Sequence, residues 1–196
     1  MVLSNIEIVK AIEQGLLQID PSPGNDPSRA PFGTTAVDLR LATEVLVPRP
    51  GPMAFDLTKP NIKDFLRAHS DRFTLTKDQP YRLRPNTFIL ANTMEVVSLP
   101  IVEGKGCLNA RVEGRSSIAR CGLLMHFTAP TIHAGFEGTI TLEIINLGPA
   151  DFLLTPEMYV CQLILERVDG SPVDAPNQFK GQRSPEGPAT AARAPR

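Results

Sequence analysis

The sequence of 196 residues contains no tryptophan, only three histidines and only three cysteines. An odd number of widely spaced cysteines is typical of reduced thiols and argues against a disulfide framework. The histidines form neither an HxxxH pair nor a set with a CxxC motif, so we expect no zinc site. The residues concerned are Cys107, Cys121, Cys161, His69, His126 and His133.

An excess of charge of either sign is also lacking, because 20 Lys and Arg stand against 21 Asp and Glu, for a net charge of −1. A balanced surface has no broad basic footprint for nucleic acid or anionic lipid, so we expect neither partner. No run of 18 apolar residues occurs, and the first residues lack the basic and apolar regions of a secretory signal. We therefore expect a cytoplasmic protein that does not enter a membrane.

The elements predicted in the first 80 residues are mostly helical. Ser4 and Glu7 have the spacing of a capping box, and the apolar stripe that follows predicts a helix ending near Gly15. A strand is expected over residues 36–41. A second short helix is expected over residues 61–69. Its inward-facing side chains should be Ile62, Phe65 and Leu66.

From Tyr81 to Val168 the chain consists of short apolar or β-branched runs separated by Pro, Gly and Asn, a pattern typical of an all-β barrel or sandwich. The predicted strands are 87–91, 94–98, 108–113, 123–128, 139–146, 152–154 and 159–167. We expect residues 1–168 to form one domain. Residues 169–196, rich in Pro, Gly and Ala, form either a flexible terminus or a lid over a ligand, with 179–182 as the only stretch suited to contact it.

The most informative segment for chemistry is residues 114–122, Gly-Arg-Ser-Ser-Ile-Ala-Arg-Cys-Gly. Serines at the start of a helical turn, exposed backbone N–H groups and flanking arginines suit a phosphate. A capped turn with two surface arginines fits the same pattern, and both interpretations stay open. Neither a P-loop nor a GxGxxG fingerprint is present.

A second candidate is Glu143, which shares one face of the predicted strand 139–146 with Thr139 and Thr141. It is either a surface charge or, in a pocket, a proton shuttle. Asp38 and Arg40 form either a structural ion pair or a support for site residues. His126 and His133 are expected to be structural more often than ligands.

Residues 114–122, followed by 135–146 (Gly-Phe-Glu-Gly-Thr-Ile-Thr-Leu-Glu-Ile-Ile-Asn), strongly resemble the dCTP deaminase branch of the trimeric dUTPase superfamily. Further matching segments are 3–8, 37–41, 158–163 and 179–182. Together they follow the family's order over residues 1–182. The resemblance is therefore far more specific than one short motif.

The resemblance implies a mainly β fold, a distorted antiparallel β-barrel of the dUTPase-like type with an N-terminal helix and one or two short helices. It implies a homotrimer with active sites between subunits, and Mg²⁺ carried on the nucleotide triphosphate. It also implies deamination of dCTP to dUTP without zinc, and the zinc deaminase signature H-x-E…P-C-x-x-C is indeed missing from the sequence.

The residue roles implied by the resemblance centre on Glu143, which matches the family's catalytic glutamate. It would take a proton from the water that attacks cytosine C4, then deliver protons to the ring and to ammonia, while Ser116 and Arg120 support that water. The substrate-binding set comprises Arg115, Ser116, Ser117, Ile118, Ala119 and Arg120 in the turn, Ala129 against the base, His133 at the sugar, Thr141 and Leu142 beside the base edge, and Phe179 and Gln182 from the tail.

Three departures from the family pattern leave alternatives open. His133 stands where aspartate is usual, Gln178-Phe179 replaces Lys-Tyr, and Thr131 stands where some members have arginine. In dUTPases that aspartate orients the hydrolytic water, so its loss bears more on pyrophosphate cleavage than on deamination. A dUTPase, a bifunctional enzyme that yields dUMP, and a pyrimidine nucleotide-binding protein without turnover remain as alternatives.

Overall fold

The computed structural model describes residues 1–58, 62–170, 172–173 and 179–188. Asn61, Gln178 and half of the predicted tail 169–196 lie outside them. Within the described residues there are three helices, α1 (Asn5–Glu13), α2 (Ile62–Ala68) and α3 (Ser116–Ala119). The strands are β1 (Gln18–Asp20), β2 (Val37–Pro48), β3 (Ser70–Thr74), β4 (Tyr81–Leu83), β5 (Phe88–Ser98), β6 (Leu108–Gly114), β7 (Leu123–Leu124), β8 (Thr131–Ile132), β9 (Glu137–Asn146), β10 (Phe152–Leu154) and β11 (Tyr159–Arg167).

The fold is a curled antiparallel sheet in which seven strands follow the order β7-β9-β5-β2-β11-β6-β8. β1 adds to β5, β3 adds to β2, and β4 pairs with β10 in a separate small sheet. One face of the large sheet carries the buried apolar side chains of alternate strand positions, such as Leu39, Leu142 and Leu163. The predicted mainly β, antiparallel class is confirmed.

Helix α1 confirms the predicted capping signal. The backbone N–H of Glu7 donates to Ser4 Oγ at 3.4 Å, which satisfies one of the unpaired donors at the helix start. Gly15 follows the helix at φ +72°, a left-handed conformation that suits glycine and ends the helix. Ile8 is fully buried, so the apolar stripe faces the core.

Several predicted boundaries are wrong, for physical reasons. The two strands expected at 87–91 and 94–98 are one strand, β5, with a register shift between Asn92 and Val96. The strand expected at 123–128 ends at Leu124, and β2 continues to Pro48 because it pairs with β3. We expected three side chains of α2 to face the core, but no described residue of this helix is buried.

Strand β9 is the element that positions the site. β5 pairs with one edge of β9 along nearly its whole length, from Phe88 opposite Ile145 to Ser98 opposite Glu137. On the other edge, β7 pairs only at the end, with Leu123 opposite Asn146. β9 is therefore held firmly on one side and only partly covered on the other.

Candidate functional site

A cavity of about 1100 Å³ lies against β8, β9, α2 and the described part of the C-terminal tail. Ligand pockets commonly have volumes of about 300–1,000 Å³, so this cavity is large enough for a nucleotide. Six of the predicted catalytic and substrate-binding residues line it: Ala129, His133, Thr141, Glu143, Phe179 and Gln182.

Glu143 lies half-buried in the wall of the cavity, and its Oε2 accepts a hydrogen bond of 3.1 Å from the backbone N–H of Phe127. Its strand neighbours Leu142 and Ile144 are completely buried in the core. Because side chains alternate along a strand, this packing fixes the Glu143 carboxylate on the cavity face. The structure thus favours the pocket interpretation of Glu143 over a surface charge.

The outer edge of β9, opposite β5, is partly covered by the tail. The Thr139 N–H donates to the carbonyl of Gln182 at 3.0 Å, and Gln182 Nε2 donates to the Thr139 carbonyl at 2.6 Å. The Gly181 N–H donates to the Glu137 carbonyl at 2.6 Å. Because backbone groups also alternate between edges, those of Thr141 and Glu143 point to this same outer edge.

Between β7 and the tail, no strand of the described ranges pairs with the outer edge of β9 at residues 140–144. The backbone N–H and C=O groups of Thr141 and Glu143 therefore face the cavity side of the strand. Leu142 differs from them, since its side chain lies in the core and its backbone groups face Ala91 on β5. The edge thus offers alternating donors and acceptors beside the Glu143 carboxylate.

The tail segment also closes part of the cavity with buried polar groups. Gln182 is only 5% exposed, and its Nε2 lies 3.3 Å from Thr141 Oγ1. The Thr141 hydroxyl donates to the Pro185 carbonyl at 3.3 Å. Glu186 lines the same cavity and is 5% exposed, paired with Arg72 of β3. Beyond the predicted contact stretch 179–182, Pro185 and Glu186 also line the cavity.

The serine and arginine turn at residues 115–120 does not line this cavity. It forms α3 and its two caps, with the side chains of Ser116, Ser117, Ala119 and Arg120 exposed and Ile118 packed against the core. On this single chain the two halves of the predicted site are thus separate.

Arg115 is engaged on its own chain. Its Nη2 lies 3.1 Å from Asp38 Oδ2, its Nη1 donates to the Tyr159 carbonyl at 3.3 Å, and its guanidinium lies 5.9 Å from the Tyr159 ring centroid. Burial raises the pKa of Asp38, and the charge of Arg115 opposes that rise. Arg40 pairs with Glu95 at 2.6 Å, so Asp38 and Arg40 do not pair with each other.

The histidines of interest lie apart. His133 is exposed at the cavity wall, and His126 Nε2 lies 3.3 Å from Glu113 Oε2. Across the described ranges, no three or more His, Cys, Asp and Glu side chains group closely enough to hold a metal ion. Nor is any helix there long and apolar enough to span a membrane.

Comparison with known proteins identifies the family. A family model described as dCTP deaminase-like matches residues 2–168. The chain belongs to the dCTP deaminase-like family. It is 36% identical over 197 positions to the "dCTP deaminase, dUMP-forming" of Methanosphaera stadtmanae, covering 94% of this chain and 91% of that protein. It is 33% identical to the "dCTP deaminase" of Haloarcula marismortui, covering 95% and 93%.

Among solved structures, the crystal structure of 2'-deoxycytidine 5'-triphosphate deaminase from Agrobacterium tumefaciens is similar in fold, with a TM-score of 0.62 at 20% identity. The match covers 85% of this chain and 48% of that one, so this dCTP deaminase-like chain spans about half the length of the solved one.

Sequence reasoning missed Glu186, which lines the cavity, and its partner Arg72. One signal was available for Glu186, because it is the only carboxylic acid in residues 179–196. An acid isolated in a Pro- and Ala-rich stretch is a candidate for a specific ion pair. Arg72 carried no such signal, since its partner lies more than 100 residues away in the sequence.

Proposed function

We propose that the protein deaminates dCTP to dUTP, with Glu143 as the group that moves protons. The observation that carries the proposal is the position of the Glu143 carboxylate in the cavity wall. It lies beside an edge of β9 whose backbone N–H and C=O groups are not paired with another described strand. Membership of the dCTP deaminase-like family and the names of the two curated relatives support the same reaction.

The chemistry requires water to add to C4 of cytosine and ammonia to leave. Glu143 takes a proton from the attacking water and passes it to the ring nitrogen N3. It then takes the second proton from the hydroxyl now on C4 and delivers it to the amino group, which leaves as ammonia while the C4 carbonyl forms. Atoms balance as dCTP plus water giving dUTP plus ammonia. General acid–base catalysis by a positioned carboxylate is typically worth about 10²–10⁴-fold.

Recognition of the base falls to the outer edge of β9. Cytosine presents a donor and acceptors along one edge, which the backbone groups of Thr141 and Glu143 complement, as paired strands complement each other. Ala129 and His133 form the neighbouring wall of the cavity. The tail residues Phe179 and Gln182 complete the enclosure as a lid.

The triphosphate, brought in as its magnesium complex, requires the positive charge and backbone donors of the serine and arginine turn. That turn does not line the cavity of its own chain, and its Ser116, Ser117 and Arg120 side chains are exposed. A second copy of the chain must therefore supply Ser116 and Arg120 to the cavity. Rotational symmetry makes each copy both donor and acceptor of a turn, which fits a closed homotrimer with sites between subunits.

A second candidate is a bifunctional enzyme that also releases pyrophosphate and yields dUMP. The dUMP-forming relative from Methanosphaera stadtmanae, 36% identical, favours it. Against it stands His133 in the cavity wall, where the family resemblance leads us to expect the aspartate that orients the hydrolytic water.

The deciding experiment is a product screen by mass spectrometry after incubation with Mg²⁺ and each common nucleoside triphosphate. dUTP with ammonia from dCTP supports the first proposal, and dUMP with pyrophosphate supports the second. Tight binding of dCTP with no product after long incubation would instead indicate a nucleotide-binding protein without turnover.

A further inference from the structure

The strongest unexplained feature outside the proposed machinery is the buried carboxylate of Glu186. Its side chain is only 2% exposed, and Oε1 lies 2.6 Å from Arg72 Nη2 and 3.6 Å from Arg67 Nη2. Its Oε2 is buried without a hydrogen-bond partner in the described part of the chain. A buried ionised group is costly unless it is paired, so this residue needs a specific reason to be there.

We propose that Glu186 is a positioning residue of the deaminase, whose carboxylate, held by Arg72 and Arg67, fixes the tail segment 181–185 against β9 beside Glu143. The inference rests on the proposed function, because it gives Glu186 a role in the same site. Glu186 acts through the tail and is assigned no contact with the base.

The partners of Glu186 belong to regular elements of the fold. Arg72 lies on β3 and Arg67 on α2, and the second nitrogen of Arg72 donates to Glu44 of β2 at 2.5 Å. Arg72 is therefore oriented by Glu44 independently of the tail. Because the Arg72 guanidinium is held in one position, the Glu186 carboxylate can form the ion pair in only one position.

The charge of Glu186 is maintained by its surroundings. Burial by itself would raise the pKa of the carboxyl, but a hydrogen bond from its own backbone and the charge of Arg72 outweigh burial and lower the pKa below its usual value. The group is therefore ionised at neutral pH and can hold the ion pair.

A short turn transmits the position of Glu186 to the cavity. The Gly187 N–H donates to the Ser184 carbonyl at 3.0 Å, and Ser184 Oγ donates to the Gly187 carbonyl at 2.9 Å. Directly before this turn, Gln182 bonds both backbone groups of Thr139. Residues 182–187 thus form a small hydrogen-bonded unit, which contacts β9 through Gln182 and the two arginines through Glu186.

The test is Glu186→Gln, which keeps the shape of the side chain and removes its charge. We expect KM for dCTP to rise about tenfold, equivalent to about 1.4 kcal/mol, with kcat changed less than about threefold. This free energy is at the low end of the range for a hydrogen bond to a charged group, because Arg72 is partly exposed to solvent. Adding Arg72→Gln should cause little further loss, because both substitutions break the same pair.

A second measurement does not depend on turnover. The Thr139 amide bonds to Gln182 only when the tail is docked, so its hydrogen exchange should accelerate in Glu186→Gln. The matched control is Glu137→Gln, which removes an exposed ion pair of 3.1 Å between β9 and Arg183 of the same tail segment. This control should leave both KM and Thr139 exchange near wild type.

The outcomes separate this inference from the proposed function. If the wild type converts dCTP while Glu186→Gln retains wild-type KM and slow Thr139 exchange, the positioning role is overturned. If the wild type makes no dUTP, the function is overturned, and the exchange result alone still decides whether Glu186 fixes the tail. Should Glu186→Gln fail to fold, Arg72→Gln is measured by the same two criteria.

Discussion

Replacing Glu143 by glutamine is the sharpest perturbation of the proposed mechanism. The amide has nearly the same shape as the carboxylate but cannot take up and release protons at neutral pH. Since one group serves both the attacking water and the departing amine, we expect kcat to fall at least about 10³-fold, which is about 4 kcal/mol of transition-state stabilisation.

The same substitution should leave the fold almost unchanged. The hydrogen bond that the structure gives Glu143 is accepted from the Phe127 N–H at 3.1 Å, and the amide oxygen of glutamine can accept it equally well. We therefore expect the free energy of unfolding to change by less than about 1 kcal/mol. Binding of dCTP should also persist, which separates a catalytic role from a binding role.

The assays are ammonia release with dUTP quantified by chromatography, thermal unfolding, and calorimetric titration with dCTP. Glu137→Gln serves as the control on the same strand, because Glu137 is exposed and lies outside the cavity. A Glu143→Gln protein that releases ammonia within tenfold of the wild-type rate would refute the proton-shuttle assignment.

Three further predictions address the tail and the subunit interface. Truncation after Val168 should raise KM or abolish turnover while lowering the melting temperature by less than about 5 °C; unchanged kinetics would rule out the lid. Glu143→Gln and Arg120→Ala, each inactive alone, should regain activity in about a quarter of the sites when refolded together, and no recovery would contradict shared sites. Gly138→Ala places a Cβ 2.9 Å from the Gln182 carbonyl oxygen, in a backbone at φ +155°. The added methyl group should displace the tail, so KM for dCTP should rise. An unchanged KM together with faster unfolding would show that the substitution strains β9 without displacing the tail.

Local sequence signals predicted the elements whose patterns are complete within a few residues. The capping box placed α1, strict alternation placed β11 at its observed bounds, and the short apolar run 152–154 placed β10 at its observed bounds. β5 was split because Asn92 and Thr93 resemble a loop, yet both are buried at the register shift. β3 was missed because its side chains are exposed or only partly buried and show no alternation.

The candidate site was predictable only in part for a similar reason. The alternation of β9 placed Glu143 on the face away from the core, and the structure puts it in the cavity wall. The separation of the serine and arginine turn from that cavity was not predictable, because joining the two requires a contact between chains. Glu186 was missed because its partner Arg72 lies more than 100 residues away in the sequence, so nothing local connects the isolated acid to an ion pair.

The conformation of the tail explains how part of the edge of β9 stays uncovered. An uncovered strand edge normally invites another strand, and the tail begins such a pairing at Glu137 and Thr139. The pairing stops there, because the Gln182 side chain occupies the Thr139 carbonyl and residues 184–187 form a turn. Pro185 meets β9 only through its carbonyl, which accepts from the Thr141 hydroxyl. A tail that continued along the edge would cover Thr141 and Glu143, where we propose that the base binds. The turn thus ends the strand pairing where the proposed substrate begins.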